Sequence, residues 1–195
     1  KPMAQYCLAY ILQILRRVPE HAHNQSTKTY KSLEARDARG VRAVGIGIAG
    51  LVADARVLAK YMRTECINHR YVYDSPMQVG RLVLQLADKA QVGTQRAGSR
   101  PYGVGVLTVG VDATGPHLYE VMPSGQYLEY KGMAIGARSQ AGRTYLERHF
   151  ESFAELGLDD LIKHSLYALR ETLSSGTDLT KDNVAVGYVG LDGGF

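Results

Sequence analysis

The stretch Gly103–Val111 reads GVGVLTVGV, and it decides the fold that we predict for this chain. Small and apolar residues occupy both alternating sets of positions, so neither face of the strand is suited to water. We therefore predict a central strand that is covered on both faces. Downstream, Leu118–Met122 and Tyr127–Tyr130 flank the turn sequence Pro123-Ser124-Gly125. This arrangement predicts an antiparallel hairpin, because glycine reaches positive φ without strain.

Upstream of the central strand, the sequence predicts a short strand and then a helix. The strand covers Val44–Ala49, and the helix runs from Asp54, its predicted N-cap, to about Ile67. One face of this helix is apolar, and it consists of Leu58, Tyr61, Met62 and Cys66.

A second helix follows directly and carries clear start signals. Ser75 is its predicted N-cap, Pro76 takes the first helical position, and Gln78 completes a capping box. We expect Gly93 to end this helix. Its apolar positions recur three and four residues apart, at Val79, Leu82, Val83, Leu86, Ala87 and Ala90.

Another pair of helices is predicted after the hairpin, beyond a bend at Lys131-Gly132. They cover Ser139–Phe153 and Asp159–Leu173, with Gly176 closing the second, and a last strand covers Val184–Val189. The two apolar stripes consist of Ala141, Tyr145, Leu146, Phe150 and Phe153, and of Leu161, Ile162, Ser165, Leu166, Leu169 and Leu173. Paired helices cannot be single crossovers of a parallel sheet, so we predict an α+β fold with helix layers on both sides of antiparallel sheets.

The front of the chain differs from the rest. Residues 3–15 (MAQYCLAYILQIL) are apolar, and we predict a buried or partner-facing helix there. The stretch is shorter than the roughly 20 residues of a membrane-spanning helix. Arg16 and Arg17 follow it, whereas a signal peptide has its positive charge in front. We therefore expect no membrane partner, and we assign residues 1–43 to an atypical segment in which a polar loop follows the helix.

The composition of the chain argues against a disulfide-rich protein and against a nucleic-acid binder. The chain has 195 residues, is 45% hydrophobic and carries 22% charged residues, which is typical of one globular domain. Cys7 and Cys66 are too few for a disulfide framework, so a reducing compartment is favoured. The net charge of +4 is scattered among acids, whereas a nucleic-acid binder concentrates its cations. We expect no nucleic-acid partner.

One motif suggests chemistry. Gly45-x-Gly47-x-x-Gly50 matches the dinucleotide fingerprint, so an NAD(P)-dependent oxidoreductase that uses this loop is one alternative. Tyr71–Asp74 would then be a second strand whose acid binds ribose. However, Ser75-Pro76 begins a helix immediately afterwards, and close packing of a strand against a helix explains the glycines equally well.

Searches for other sites return little. The sequence has no Gly-x-Ser-x-Gly and no His-Glu-x-x-His motif. His21-x-His23 is the only close histidine pair, Cys66 fits a core position, and Ser139 and Ser165 have no evident base. We therefore predict no catalytic, cofactor-binding or metal-binding residue.

Several segments resemble proteasome alpha-type subunits, in the right order from about Val44 to Phe195. Ala168–Leu173 (ALRETL) is most similar to the type-1 branch of this family. The other segments that carry the resemblance are Ile48–Arg56 (IAGLVADAR), Thr94–Arg96 (TQR), Arg100–Gly105 (RPYGVG), Ala134–Gln140 (AIGARSQ) and Thr144–Arg148 (TYLER).

The resemblance implies a fold and a role. The fold would be the four-layer αββα sandwich of N-terminal-nucleophile hydrolases, formed by residues 44–195. Alpha subunits form seven-membered outer rings that cap the catalytic beta rings, gate the pore and receive the regulatory ATPase particle. This implies a non-catalytic subunit in ubiquitin-dependent protein breakdown, in the cytoplasm and nucleus. An active N-terminal-nucleophile hydrolase, which needs a processed Thr, Ser or Cys at its start, is the second alternative.

The resemblance also indicates site residues and departures. Candidate ring contacts are the family-motif residues Arg100, Pro101, Tyr102, Gly103, Arg138, Ser139 and Gln140. The family's gating tail and Glu-Tyr-Ala helix are not recognisable in residues 1–43, and Arg36 is the basic residue nearest to the position of the family's activator-pocket lysine, in a stretch that otherwise does not match. A splice variant, a mispredicted first exon and a divergent subunit each explain this front end. Without its first strands a sheet exposes its edge, so residues 3–15 should cover the gap or leave the domain poorly folded.

Overall fold

The computed structural model describes residues 6–9, 44–174, 178–180 and 183–190. These residues form helices and antiparallel strands, so the predicted α+β class is confirmed. The helices are α1 (Val52–Tyr73), α2 (Val79–Gln95), α3 (Ser139–His149, followed by a 3-10 turn at Phe150–Ser152) and α4 (Leu158–Glu171). The strands are β1 (Tyr6–Ala9), β2 (Val44–Gly50), β3 (Val104–Asp112), β4 (Gly115–Val121), β5 (Tyr127–Glu129) and β6 (Gly187–Gly190).

Four strands form one antiparallel sheet in the order β2-β3-β4-β5. Strand β3 is central, with Val44 opposite Gly110 on one side and Val106 opposite Val121 on the other. The predicted hairpin is present as β4 and β5. Its turn places Gly125 at φ 87°, and the amide of Gly125 donates to the carbonyl of Met122 at 2.9 Å.

Both faces of β3 are buried, as its sequence predicts. On one face, Val104 and Val106 pack in a cluster with buried residues of α1 and α2. On the other face, Leu107, Val109 and Val111 pack with the 133–135 segment and with Val189 of β6. Because water reaches neither face, this strand joins two hydrophobic clusters across one sheet.

The predicted apolar stripe of α2 is confirmed in full, since all six of its residues are buried. Close packing joins α3 to α4 at Gly142, where an added Cβ would lie 3.2 Å from the carbonyl oxygen of Ala168. The stripe predicted for α3 is wrong at Ala141, which is exposed within the helix, and at Phe150, which is exposed just beyond the end of the α-helix at His149.

The predicted helix ends need correction. Leu51 rather than Asp54 is the N-cap of α1, and Gln78 rather than Ser75 is the N-cap of α2. No side chain of its own segment caps α2; instead the Val79 amide donates to Asp112 Oδ2 at 3.2 Å. A partner 33 residues away supplies the cap, so the local capping pattern gave the wrong boundary.

Two further boundaries differ from the predictions. Gly93 lies inside α2, which continues to Gln95. Helix α1 extends past Ile67 to Tyr73 and ends at Asp74, whose left-handed conformation (φ 47°) lets its amide donate to the carbonyl of Arg70. Residues 71–73 are therefore helical, and the second strand that a dinucleotide site requires is absent there. Gly176 lies outside the described residues.

The helix predicted for residues 3–15 is wrong at Tyr6–Ala9, which form strand β1. Strand β1 pairs antiparallel with β6, with Tyr6 opposite Gly190 and Ala9 opposite Gly187. An open strand edge offers unpaired backbone groups that outweigh local helix preference. Strand β1 also contacts β3, β4 and α4, which is where a covering segment would need to lie. The remainder of residues 3–15 and the polar segment 20–43 lie outside the described residues.

Candidate functional site

The segment Arg100–Gly103 lies at a corner where the end of α2, the start of β3 and the start of α1 meet. Asp54, in the first turn of α1, is the common partner of this corner. Arg100 donates to Asp54 Oδ2 at 2.6 Å and to Oδ1 at 2.8 Å, and the amide of Gly103 donates to Oδ2 at 2.8 Å. The amide of Leu51 donates to the carbonyl of Gly103 at 2.9 Å. These bonds fix α1 to the start of β3.

The charge of Asp54 is held by its neighbours. The hydrogen bond from Arg100, and then that from the Gly103 amide, lower the pKa of Asp54 to about 2 against the opposing effect of desolvation. The side chain of Asp54 is 9% exposed, whereas that of Arg100 is 65% exposed. The corner therefore presents a cation to solvent on a rigid, bidentate support.

Two glycines allow this corner to close. Gly50 has φ 132°, and a Cβ added to it would overlap the carbonyl oxygen of Gly103. A Cβ on Gly93 would lie 3.2 Å from the carbonyl oxygen of Arg100. Both glycines are therefore explained by close backbone approach, without a ligand.

The remaining glycines of the fingerprint lie inside a strand. Gly45 pairs with Val109 and Gly47 with Leu107, in the middle of β2. A Cβ on Gly45 would lie 2.8 Å from Val109 Cγ2, so side-chain packing of the sheet uses this space. A dinucleotide fingerprint instead forms a loop that opens onto a helix N-terminus. The loop that the oxidoreductase alternative requires is not formed at Gly45 and Gly47.

A cleft of about 690 Å³ lies beside the corner, between α1 and the C-terminal half of α2. Charged side chains are part of its lining, and Lys89 Nζ lies 4.3 Å from the centroid of the Tyr61 ring. Burial, together with the charges of Glu65 and Asp88, raises the pKa of Tyr61. Arg96 and Arg100 also line this cleft, next to Asp54 and Asp88.

Comparison with known proteins identifies the family. The model of the "Proteasome subunit" family matches residues 24–189. This chain belongs to the proteasome subunit family. The match begins at residue 24, ahead of the Val44 boundary that the motifs indicate. The resemblance predicted from the motifs is therefore confirmed.

Relatives of this proteasome-family chain include several alpha-type subunits. It is 57% identical over 148 residues to proteasome subunit alpha type-1 of Dictyostelium discoideum. This alignment covers 75% of this chain and 60% of the relative. The chain is 48% identical to a probable alpha type-6 subunit of Schizosaccharomyces pombe (76% and 55% covered) and 44% identical to alpha type-1 of Drosophila melanogaster (78% and 56%). The chain thus spans between 55% and 60% of the length of these relatives. The comparisons give no support to either alternative function.

The second motif group of this proteasome-family chain lies at the start of α3. Arg138 adopts a left-handed conformation with φ 58°, and the amide of Ser139 donates to the carbonyl of Gly136. Arg138 and Gln140 are exposed, and Ser139 is half-buried. No hydrogen bond or ion pair among the described residues joins this group to Arg100–Gly103. The structure therefore presents the candidate ring contacts as two separate surfaces.

The structure gives no catalytic role to Cys66 or Ser165, the candidates considered from the sequence. Cys66 is half-buried, and burial raises the pKa of its thiol, which makes it a poor nucleophile. Ser165 is buried on α4. The described part of the chain contains no group of three side chains that could hold a metal ion, and none of its helices is long and apolar enough to cross a membrane. His21, His23 and Arg36 lie outside the described residues.

Sequence reasoning missed one polar cluster. Asp112, Thr114 and His117 meet at the turn between β3 and β4, and Glu129 of β5 and Tyr119 of β4 complete the group. The signal was present in the hairpin, because Glu129 pairs with Tyr119, two residues from His117 on the same face of β4. Recognising it would have required the register of three strands rather than a local motif.

Proposed function

We propose that this chain acts as a non-catalytic structural subunit of the proteasome core particle, in its outer alpha ring. The observation that carries this proposal is the family match over residues 24–189, together with relatives named as alpha-type subunits at 44% to 57% identity. Because the chain spans only part of those relatives, its role in a complete ring rests on this similarity. The same similarity supports gating of substrate entry in ubiquitin-dependent breakdown, in the cytoplasm and nucleus.

The architecture that we propose is the four-layer αββα sandwich. Helices α1 and α2 form one outer layer, and they pack on the β2–β5 sheet through a shared cluster. The β1–β6 sheet is the second inner layer, since β1 contacts β3 and β4 as well as α4, and Val189 packs with Leu107. Helices α3 and α4 are then the other outer layer. Residues 44–195 would form this domain.

The proposed partners are other alpha subunits in a seven-membered ring, beta subunits of the catalytic ring and the regulatory ATPase particle. The exposed Arg100 and Arg138 support contacts with neighbouring subunits, since each is presented by a fixed backbone. Exposed apolar side chains near the end of α1 supply further contact area, with Ile67 61%, Tyr71 90% and Val72 67% exposed. Arg36 remains the candidate for the activator pocket.

Incorporation into particles tests this proposal. The full chain, with an affinity tag, is expressed in eukaryotic cells whose beta subunits carry a second tag, and lysates are separated on a glycerol gradient. We expect the chain to sediment with the beta subunits in particles far larger than the free chain. A chain that folds but stays in the light fractions, while endogenous alpha subunits assemble, would refute the proposal.

A charge reversal tests the ring-contact residues separately. We expect Arg138→Glu to reduce the fraction of chain in the heavy particles, because it places an acid where a cation contacts the neighbour. Arg63→Glu is the matched control, since it reverses an exposed charge outside the segments that carry the family resemblance. Equal incorporation of both variants would show that Arg138 is not a ring contact. Whether the chain belongs to the particle at all is decided by the incorporation of the unchanged chain.

A further inference from the structure

Both ring nitrogens of His117 face acceptor oxygens. Nδ1 lies 2.6 Å from Glu129 Oε1, and Nε2 lies 3.2 Å from Asp112 Oδ1 and 2.7 Å from Thr114 Oγ1. The hydroxyl of Thr114 donates to Asp112 Oδ1 at 2.5 Å, so its oxygen is left to accept from Nε2. Only the protonated imidazolium donates from both nitrogens at once. The cluster is therefore built around a charged His117.

The two acids that flank His117 belong to different elements. Asp112 ends β3 and also accepts the Thr114 amide at 2.8 Å and the Val79 amide, at the start of α2, at 3.2 Å. Glu129 ends β5, and its second oxygen accepts the hydroxyl of Tyr119 at 3.0 Å. One histidine thus joins the β3–β4 turn, the α2 start and β5.

Strand β5 is a short edge strand, and besides His117 it is held by the Tyr119 hydroxyl on Glu129 and by the Tyr130 amide, which donates to the carbonyl of Leu118 at 2.9 Å. It is three residues long, all three residues are exposed, and it lies at the edge of the β2–β5 sheet. Its strand pairing joins it to β4 alone, from Tyr127 opposite Val121 to Glu129 opposite Tyr119. A short edge strand of this kind frays easily unless side chains fix it. The contact between His117 and Glu129 fixes its last residue.

The electrostatics favour the charged ring. Burial acts to lower the pKa of His117, but the hydrogen bond to Glu129 and the charges of Asp112 and Glu129 outweigh it, so the pKa is raised. Burial likewise acts against ionisation of Asp112, yet hydrogen bonds from Thr114 and Val79 and the charge of His117 lower its pKa to about 2. Tyr119, whose ring stacks 6.0 Å from that of His117, stays neutral because burial and Glu129 raise its pKa to about 12.

We propose that His117 is a proton-controlled latch: its charged ring holds the edge strand β5 to the β3–β4 turn, and loss of one ring proton leaves a neutral ring that can donate to only one of the two acids, so that β5 is held less firmly. Because the pKa of His117 is raised on folding, the latch contributes fully below the ordinary histidine value of about 6.5. Its contribution is lost as the pH rises through the raised value. The groups that face His117 from β3, β4 and β5 are Asp112, Tyr119 and Glu129, and α2 contributes the Val79 amide.

Two measurements on the full chain test the latch together. The histidine rings are titrated by NMR, and hydrogen exchange of the β5 amides is measured over the same pH range and corrected for intrinsic rates. We expect His117 to titrate above about 6.5. We expect protection of the β5 amides to fall on the order of tenfold through the same midpoint, since a charged hydrogen bond is lost.

Variants separate the latch from a general effect of pH. His117→Gln should abolish the fall in protection of the β5 amides with rising pH, and Glu129→Gln should lower the pH midpoint at which His117 titrates. His149→Gln is the matched control, because it removes a histidine between α3 and α4, and it should leave this fall unchanged. The proposal is overturned if His117 titrates at or below about 6.5, or if it titrates while β5 protection shows no step. Circular dichroism verifies that each variant is folded.

Discussion

Replacing Leu86 by alanine tests how α2 packs on the sheet. Leu86 is fully buried in the cluster between the helices and β3. The change removes three carbon atoms, which at about 0.8 kcal/mol each gives about 2.4 kcal/mol of lost burial. The cavity left behind brings the expected cost to about 3–4 kcal/mol. For a chain of this size, that corresponds to a fall in melting temperature of about 6–16 °C.

Leu84→Ala is the matched control, because Leu84 lies on the same helix and is 43% exposed. The small gain in helix propensity is the same in both variants, and Leu84→Ala leaves no closed cavity, so we expect a cost of about 1 kcal/mol for Leu84→Ala. Urea unfolding of the full chain, monitored by circular dichroism, measures the free energy of unfolding of both variants. The slope of this free energy against urea concentration should be unchanged. Equal costs for the two leucines, or less than about 1 kcal/mol for Leu86, would refute the proposed packing of α2.

Three further predictions concern the corner, the β2 glycine and the front of the chain. The pKa of Asp54 is lowered on folding, so its stabilising effect is present above about pH 3.8 and is lost as the pH falls towards 2. In Asp54→Asn, the urea midpoint should fall less between pH 3.8 and about 2 than it does in the unchanged chain. The same fall in both proteins would contradict the stabilising role of the Asp54–Arg100 pair. Gly50→Ala should cost more than about 2 kcal/mol in urea unfolding, because φ is 132° and the Cβ overlaps Gly103. Gly105→Ala, where a Cβ meets only ordinary contact, should cost far less; similar costs would exclude the steric explanation. Deleting residues 1–20 should lower the melting temperature, because it removes β1 from β6. An unchanged melting temperature would exclude the covering role of this segment.

The parts of the fold that depend on local pattern were predictable from the sequence. The buried stripe of α2 follows from its three- and four-residue spacing, and the covered faces of β3 follow from its continuous apolar run. The hairpin around Gly125 follows from its turn residues. In each case the residues that decide the structure lie within one element or one turn, so periodicity and turn chemistry suffice.

The parts that failed depend on partners far along the chain. Asp54 resembles an N-cap, but its carboxylate is taken by Arg100, 46 residues away. The apolar run of residues 3–15 suggests a helix, but β6, far along the chain, pairs with Tyr6–Ala9 as a strand. The cluster at His117 likewise requires three strands in register. Local propensity cannot anticipate such tertiary competition.

The pairing of β1 with β6 has a consequence for how the chain reaches its final state. Between Ala9 and Gly187 the chain closes a loop that includes nearly the whole sequence. Closing so long a loop costs entropy that is recovered only after the intervening elements have packed, so this pairing should form late. During synthesis on the ribosome, β6 emerges after β1–β5, and β1 must wait without its partner while the α1–β5 region is already complete. A nascent chain therefore carries β1 as an open strand from the time β1 emerges until β6 does, which is the interval in which a chaperone would be of use.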